Sequence, residues 1–497
     1  MIATHGASAP DKLNAGRRGS HAMRWWVLAV LSIAQLMVIL DGTVVNIALP
    51  AAQADLGFAD GDRQWVITGY ALAFGSLLLL GGRLGDLIGR RTTFIVGLVG
   101  FAVASALGGA ATSFEMLVAA RVGQGIFGAL LAPAALSLLS VTFTEKAERA
   151  RAFGIFGALS GAGAAIGLLL GGMLTEWANW RWVMFINLFF AAVALVGAVL
   201  LLAKHTVDAR PKLDIPGTIV VTAALFAIVY GFSHAESTSW TDAATIGFLA
   251  GGVALLVVFV VLQARVAHPL LPLRIVLSRT RGGSFLAVFV LGMGMFSIFL
   301  FLTYYLQLSM GYTPVNSGLA FMPMVAGILV SAITIPSLVL PRVGPKIVIT
   351  VSFLVSAGGM AWLAQLGLDS AYVSDILPGM VLMGLGLGGI MTTSFQGATA
   401  GVHHEDAGVA SALINTSQQV GGSISTALLT TIAASAMTDY LSTNPASPLT
   451  TAQAHVESYT ATLAWGAAIF VVGAVVSAVL MPNAQFEPSE GEAVFAH

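Results

Sequence analysis

"GGRLGDLIGRR", residues 81–91, sets three arginines and an aspartate between two long apolar stretches, 64–81 and 92–110. A spanning helix needs about 20 mainly apolar residues, so a charged knot between two such stretches is a short loop at a membrane face. Working outward, the same alternation runs along the chain. Fourteen stretches qualify as spans: 25–49, 64–81, 92–110, 114–141, 152–174, 182–203, 215–233, 243–263, 283–306, 316–340, 347–366, 373–396, 407–435 and 459–481. Several are interrupted by glycine, which membrane helices tolerate well.

Composition agrees with that reading. Of the 497 residues, 57% are hydrophobic and 9% charged, against about 25% charged in an ordinary soluble domain. A soluble fold of this length cannot bury so much apolar surface behind so little charge. The chain reads as an all-α polytopic membrane protein. A net charge of −1 leaves no footprint for nucleic acid. With no cysteine, disulfides, thiolate catalysis and Cys-ligated metal sites are excluded. The polar first 24 residues resemble the n-region of a signal peptide. The apolar run behind them is too long for an h-region of roughly 7–15 residues, and no A-x-A-like site closes it, so a retained first helix is expected.

The basic residues set the orientation. Nineteen of the 22 lysines and arginines fall on the side of the N-terminus, only Arg63 and Arg181 on the other, and Arg121 lies within a span. Cytoplasmic loops collect Lys and Arg, so both termini are expected in the cytoplasm. The loop "SLVLPRVGPK" (337–346) echoes the opening one: aligning Gly344 with Gly89 also brings Lys346 onto Arg91, eight helices apart. That offset fits six helices, two inserted helices and six more. The expected divisions are a tail at 1–24, a six-helix bundle at 25–203, a two-helix insert at 204–264, a second bundle at 265–481 and a tail at 482–497.

One charge stands out inside a span. "VILDGTVVNIALP" (38–50) places Asp41 within an apolar run, where a charge costs about 2.5–3.5 kcal/mol even on lenient insertion scales. Asp41 needs a partner, a proton or a watery cavity. It lies roughly 13 Å from the outer end of its helix, and Arg121 lies roughly 10 Å into the fourth from the same side, at 1.5 Å per residue. The two charges share a depth.

Gly82, Leu84, Asp86, Gly89, Arg90 and Arg91 spell the G-x-L-x-D-x-x-G-R-R signature of the major facilitator superfamily, between its helices 2 and 3. "LDGTVVNIALP" (40–50) resembles the first-helix motif of the superfamily's fourteen-helix drug:proton antiporters, the EmrB/QacA branch, and "RVGQG" (121–125) its fourth-helix motif. Gly154, Gly163, Gly167, Gly171 and Gly172 match the glycine spacing of the antiporter motif, although Leu168 stands where that motif has proline. The segments "YLQLSMGYTPVNSGLAFMP" (305–323) and "GVASALINTSQQVGGSISTALL" (408–429) are similar to second-half segments of the same branch. The resemblance covers residues 25–481. It implies two six-helix bundles plus two inserted helices around a central cavity, with helices 1 and 4 side by side.

The resemblance then implies roles. An Asp41–Arg121 pair would solve the burial problem of both charges; it is either a static ion pair or a proton-coupling site in which Asp41 alternates between pairing and holding a proton. Arg121 favours the charged carboxylate and apolar walls the neutral acid. Asp86 is either a plain loop charge or a gating latch on the helix beginning near Gly408, with Gly82, Gly89, Arg90 and Arg91. Glu115 reads as a boundary residue, and His403 and His404 as solvated loop residues. On the ninth span Met293, Met295, Phe296, Phe299, Phe301, Tyr304 and Tyr305, with Gln307 following, form a stripe. It either packs or, by family position, lines the cavity, where methionine and aromatic faces suit an apolar or cationic ligand. Asn415, Gln418 and Gln419 either bond across helices or meet substrate.

The function implied is a proton-driven exporter of amphiphilic or cationic drugs, rocking two bundles about a midplane site. It is expected as a multi-pass monomer in a bacterial cytoplasmic membrane, with protons as the coupling ion and no cofactor or metal. A carrier dedicated to one endogenous solute is the nearest alternative, and a non-transporting sensor or scaffold a remote one. The few intramembrane charges form no catalytic constellation, so an enzyme is not expected. The lack of a P-loop argues against ATP-driven pumping.

Overall fold

The structure, a computed structural model, describes residues 9–59, 62–143, 145–202, 214–267, 269–402 and 407–482. Among these, every regular element is helical. The first half comprises α1 (Ala9–Leu56), α2 (Gln64–Ile88), α3 (Arg90–Gly109), α4 (Phe114–Thr142), α5 (Lys146–Trp177) and α6 (Trp182–Leu201). A hairpin of α7 (Ile215–Ser237) and α8 (Ala243–Arg265) follows, then the short α9 (Leu273–Val276). Beyond it lie α10 (Arg279–Tyr304), α11 (Pro314–Ala320), α12 (Met322–Thr334), α13 (Leu340–Leu363), α14 (Leu377–Thr399), α15 (Ala407–Thr443) and α16 (Pro448–Leu480). Five-residue π-turns join α10 to the α11 loop, α12 to α13, and the α13–α14 loop to α14.

Eleven helical runs among the described residues are long and apolar enough to cross a membrane. Three places separate this number from the fourteen expected. The qualifying apolar parts of α2 and α5, Gln64–Leu78 and Ile166–Trp177, are shorter, and Pro314–Leu363 runs as one stretch of 50 residues where the sequence suggests two spans. Gly344 breaks that stretch with φ 79° and ψ 163°. Gly89 separates α2 from α3 with φ 93° and ψ 133°. A β-carbon is disfavoured at both positive φ values, so the echo between the two loops is a shared backbone break.

Helix starts follow local chemistry. Ser113, Asp214, Asp242, Thr313 and Ser447 each accept a bond from the first turn of α4, α7, α8, α11 and α16, satisfying donors that have no partner within the helix. Packing then follows small residues: α4 lies against α2 and α3, and α1 against α5 and α6. In the second half α10 packs on α15, α13 on α14 and α16, and α12 on α14. The α7–α8 hairpin rests on its own partner, while α7 also touches both α2 and α15. Apolar side chains such as Leu200, Ile219, Ile333 and Val479 remain exposed, as a lipid-facing surface requires. Between α2, α4 and α7 lies an apolar gap of 730 Å³, lined by Leu72, Leu80, Ile126, Ile219 and Phe226.

Candidate functional site

Four helices converge on Asp41. One carboxylate oxygen, Oδ2, accepts from an Arg121 guanidinium nitrogen at 2.5 Å; the other, Oδ1, accepts from Gln124 Nε2 at 2.8 Å and Asn187 Nδ2 at 2.7 Å. Arg121 also donates through Nε to the Val66 carbonyl at 3.0 Å and to Gln124 Oε1 at 2.7 Å. Gln124 Nε2 reaches Ser105 Oγ on α3 at 2.8 Å, and the Tyr70 ring of α2 lies 4.5 Å from the guanidinium carbon. Asp41 is 1% exposed, Arg121 2%, and Gln124 and Asn187 are fully buried.

The sequence builds this cluster by spacing. Arg121 and Gln124 stand three apart on α4, so both face α1. Gly125 beside them has no side chain to hold α2 away, and a β-carbon there would collide with the Tyr70 carbonyl. Bonds to an ionised carboxylate are shorter and stronger than neutral ones. A buried ion pair stabilises only when its remaining polar atoms are satisfied; here two amides and a backbone carbonyl do that. The arrangement gives both carboxylate oxygens donors inside an apolar bundle.

The antiporter-motif glycines form two seams. Gly163, Gly167 and Gly171, four apart, face α1 at Leu36 and Ile39, at Thr43 and Leu40, and at Val44. Gly172 turns the other way: a β-carbon there would lie 2.6 Å from the Pro314 carbonyl oxygen of α11, and one at Gly318 would lie 2.6 Å from that of Leu168. Leu168 itself is fully buried. The two halves therefore touch backbone to backbone at the end of the bundle where α1 finishes, here the Leu56 end. Val315 N donates to Glu176 at 3.0 Å in the same place.

Tyr304 and Gln307 belong to this contact. Tyr304 donates to Gln53 Oε1 at 3.1 Å, with Arg63 stacked 4.0 Å from its ring centroid, and Gln307 donates to the Ile47 carbonyl at 3.1 Å. Phe299 is buried, its ring 5.4 Å from that of Phe321. Met295 and Gln418 meet across α10 and α15, Nε2 to Sδ at 3.6 Å, and Asn415 stands half-buried less than one turn before Gln418. Of the candidates for substrate contact, Met295, Asn415 and Gln418 sit together half-buried, whereas Phe299, Tyr304 and Gln307 are committed to packing or to the junction of the halves.

At the opposite end, Gly82 makes only ordinary contact with Pro133, Arg91 donates to the Val199 carbonyl at 3.0 Å, and Arg90 is half-buried. Arg83 donates to the Pro269 carbonyl at 3.1 Å. The side chains of Asp86 and Phe296, the surroundings of Gly154, and His403 and His404 lie outside the described residues.

The description "Major Facilitator Superfamily" belongs to a family model that matches residues 31–426. The chain belongs to the major facilitator superfamily. It is a multi-pass membrane transporter. It is 47% identical over 478 residues to a puromycin resistance protein of Streptomyces alboniger, covering 96% of this chain and 95% of the relative. It is also 35% identical over 422 residues to a tetracenomycin C resistance and export protein of Streptomyces glaucescens, covering 85% of this chain and 78% of that one. Among solved structures, an auto-inhibited POT family peptide transporter matches with a TM-score of 0.67 at 14% identity, over 92% of this chain and 96% of that one. A bacterial homologue of the lysosomal transporter Spinster matches with a TM-score of 0.64 at 16% identity, over 92% of this chain and 97% of that one. At such identities the likeness is one of fold.

Two members of the transporter's buried cluster escape a charge-based reading. Gln124 lies inside the quoted "RVGQG", but only its helical offset from Arg121 gives it away. Asn187 is a lone amide in "WVMFINLFFAAV" (182–193), the same signal as Asp41 in a weaker form. Glu115 is exposed at the start of α4, as a boundary residue should be.

Proposed function

We propose that the transporter is a proton-coupled antiporter that exports amphiphilic or cationic drugs by alternating access. It works as a monomer in a bacterial cytoplasmic membrane, with protons as the coupling ion and no bound cofactor. The observation that carries this reading is Asp41, a carboxylate 1% exposed within a membrane helix and tied to Arg121. Intramembrane carboxylates of this kind mark ion and proton pathways. The half-buried group of Met295, Asn415 and Gln418 on α10 and α15 is the proposed substrate contact, and Gly82, Asp86, Gly89, Arg90 and Arg91 the gate.

The proposed topology has fourteen spans, two bundles at 25–203 and 265–481, and the α7–α8 insert between them. Adding α2 and α5 to the eleven apolar runs, and counting the run broken at Gly344 twice, supports that number. The distribution of arginine and lysine supports cytoplasmic termini, which makes the Leu56 end the outer one. On this reading the halves are closed against each other outside, through Tyr304, Gln307, Gly172 and Gly318.

Puromycin is the first compound to test, since the 47% identical relative is named for resistance to it. Purified protein in liposomes, given an imposed proton gradient, should accumulate puromycin and release protons in step, and Asp41→Asn should abolish both. Equal transport by wild type and D41N would move the coupling site elsewhere. Puromycin movement that ignores the gradient would remove proton coupling from the proposal.

A further inference from the structure

We infer that Asn187 is the proton-linked switch of this site, accepting a hydrogen bond from Asp41 when the carboxylate takes up its proton. The inference rests on the reading of Asp41 as the exchangeable proton site. It starts from an unused atom: among the described residues, Asn187 Oδ1 is buried without a hydrogen-bond partner, while its Nδ2 donates to Asp41 Oδ1 at 2.7 Å.

A carboxylate only accepts, and a carboxylic acid must also donate. When a proton from solvent binds Asp41, an O–H bond forms, the charge is lost, and that new O–H needs an acceptor. Oδ2 is no place for it, because Oδ2 faces Arg121, which has donors and no acceptor. The proton therefore belongs on Oδ1, which faces the two amides of Gln124 and Asn187.

Those amides are not equivalent. Gln124 Oε1 is held by Arg121 at 2.7 Å, and its Nε2 also serves Ser105 at 2.8 Å. Turning it over would aim its NH₂ at the guanidinium, donor against donor. Asn187 has no such ties. Half a turn about its Cβ–Cγ bond exchanges Nδ2 for Oδ1, which occupy nearly the same space. An N–H···O⁻ bond becomes an O–H···O=C bond, no heavy-atom movement beyond the amide is needed, and one buried amide atom is unpartnered in either state. The charged or titratable groups recorded around the cluster are Arg121 on α4 and the Tyr70 ring on α2. The α5 face toward α1 brings Gly163, Gly167 and Gly171, and α6 brings Asn187 itself.

Asn187 thus sets which protonation state the site holds without touching substrate; it is a positioning residue. Loss of its amide removes one donor from the charged state and the acceptor from the neutral one. A structural role alone would change stability and leave the vibration of the protonated carboxyl untouched.

The test is infrared difference spectroscopy of the full-length protein between neutral and acid pH, which needs no substrate. Wild type should show a protonated-carboxyl C=O band that D41N lacks. Asn187→Leu should move that band to higher wavenumber, as for an acid with no acceptor, and Asn187→Ser, whose hydroxyl can donate or accept, should bring it back toward the wild-type position. If N187L does not fold, Asn187→Ala deletes the same amide without added bulk and takes its place. A band that disappears in D41N but stays at the wild-type position in N187L or N187A overturns the role of Asn187 and leaves Asp41 as the proton site. A band that persists in D41N overturns the Asp41 reading, and the role of Asn187 with it.

Discussion

Gly172→Ala adds a single methyl group and should open the Leu56 end of the molecule. The new β-carbon would sit 2.6 Å from the Pro314 carbonyl oxygen, 2.9 Å from its carbon and 2.9 Å from Val315 Cα. All three are backbone atoms, so no rotamer relieves the contact. Restoring ordinary contact at 3.4 Å requires α5 and α11 to part by about 0.8 Å. Overpacking of this kind costs about 1–3 kcal/mol, and a penalty confined to one of two conformations shifts their ratio by roughly 5- to 150-fold. Gly318→Ala should behave alike, since its β-carbon meets the Leu168 carbonyl oxygen at 2.6 Å. Gly163→Ala is the control: its nearest neighbours are the side-chain ends Leu36 Cδ1 at 3.0 Å and Ile39 Cγ2 at 3.1 Å, which can give way. The chain has no cysteine, so spin labels on cysteines introduced at the exposed positions Trp177 and Leu319 report this junction cleanly. Electron-resonance distances should lengthen in G172A and G318A and match wild type in G163A. If all three variants give the wild-type distribution, the junction does not work by backbone contact and the reasoning is refuted.

Two further perturbations probe the interior. Asp41→Leu or Arg121→Leu alone leaves a buried charge without its partner and should lower stability by about 3–5 kcal/mol, whereas the double variant should recover most of that loss; thermal melting of all three in one detergent decides it, and singles as stable as the double would refute the coupling. Asp214 caps α7 through Gly217 N at 2.8 Å and accepts from Gln263 Nε2 at 2.5 Å. Asp214→Ala should remove about 0.5–2 kcal/mol of capping and leave the Gln263 amide short of a partner. Hydrogen exchange should rise in the first turns of α7 and stay unchanged at its His234 end, and uniform protection along α7 would contradict the capping role.

The sequence discloses what burial forces and hides what depends on how bundles meet. Asp41 and Arg121 were legible as a pair because neither charge is tolerable alone in an apolar helix, both lie at a similar depth, and the family resemblance sets their helices side by side. The amides around them were not, because an uncharged amide disturbs hydropathy little. Tyr304 and Gln307 show the other limit. A stripe of methionine and aromatic residues on α10 has the same pattern whether it lines a cavity or closes against α1, and only the approach of Gln53 and Ile47 separates the two. The glycines of α5 read as one motif, yet they serve two neighbours, since Gly172 lies about 100° around the helix from Gly171. The break at Gly344 falls in the loop that the sequence sets between the spans 316–340 and 347–366, where Arg342 and Lys346 interrupt the apolar run.

One placement constrains how this molecule can move. Because α7 lies against both α2 and α15, it straddles the line along which the halves would part, and no change in the spacing of that pair can leave it undisturbed. The apolar gap on the α4 side of α2 gives it lateral room. A change in the spacing of α2 and α15 must therefore either carry α7 along with α2 or break the bond by which Thr222 Oγ1 donates to the Ser76 carbonyl of α2 at 3.1 Å.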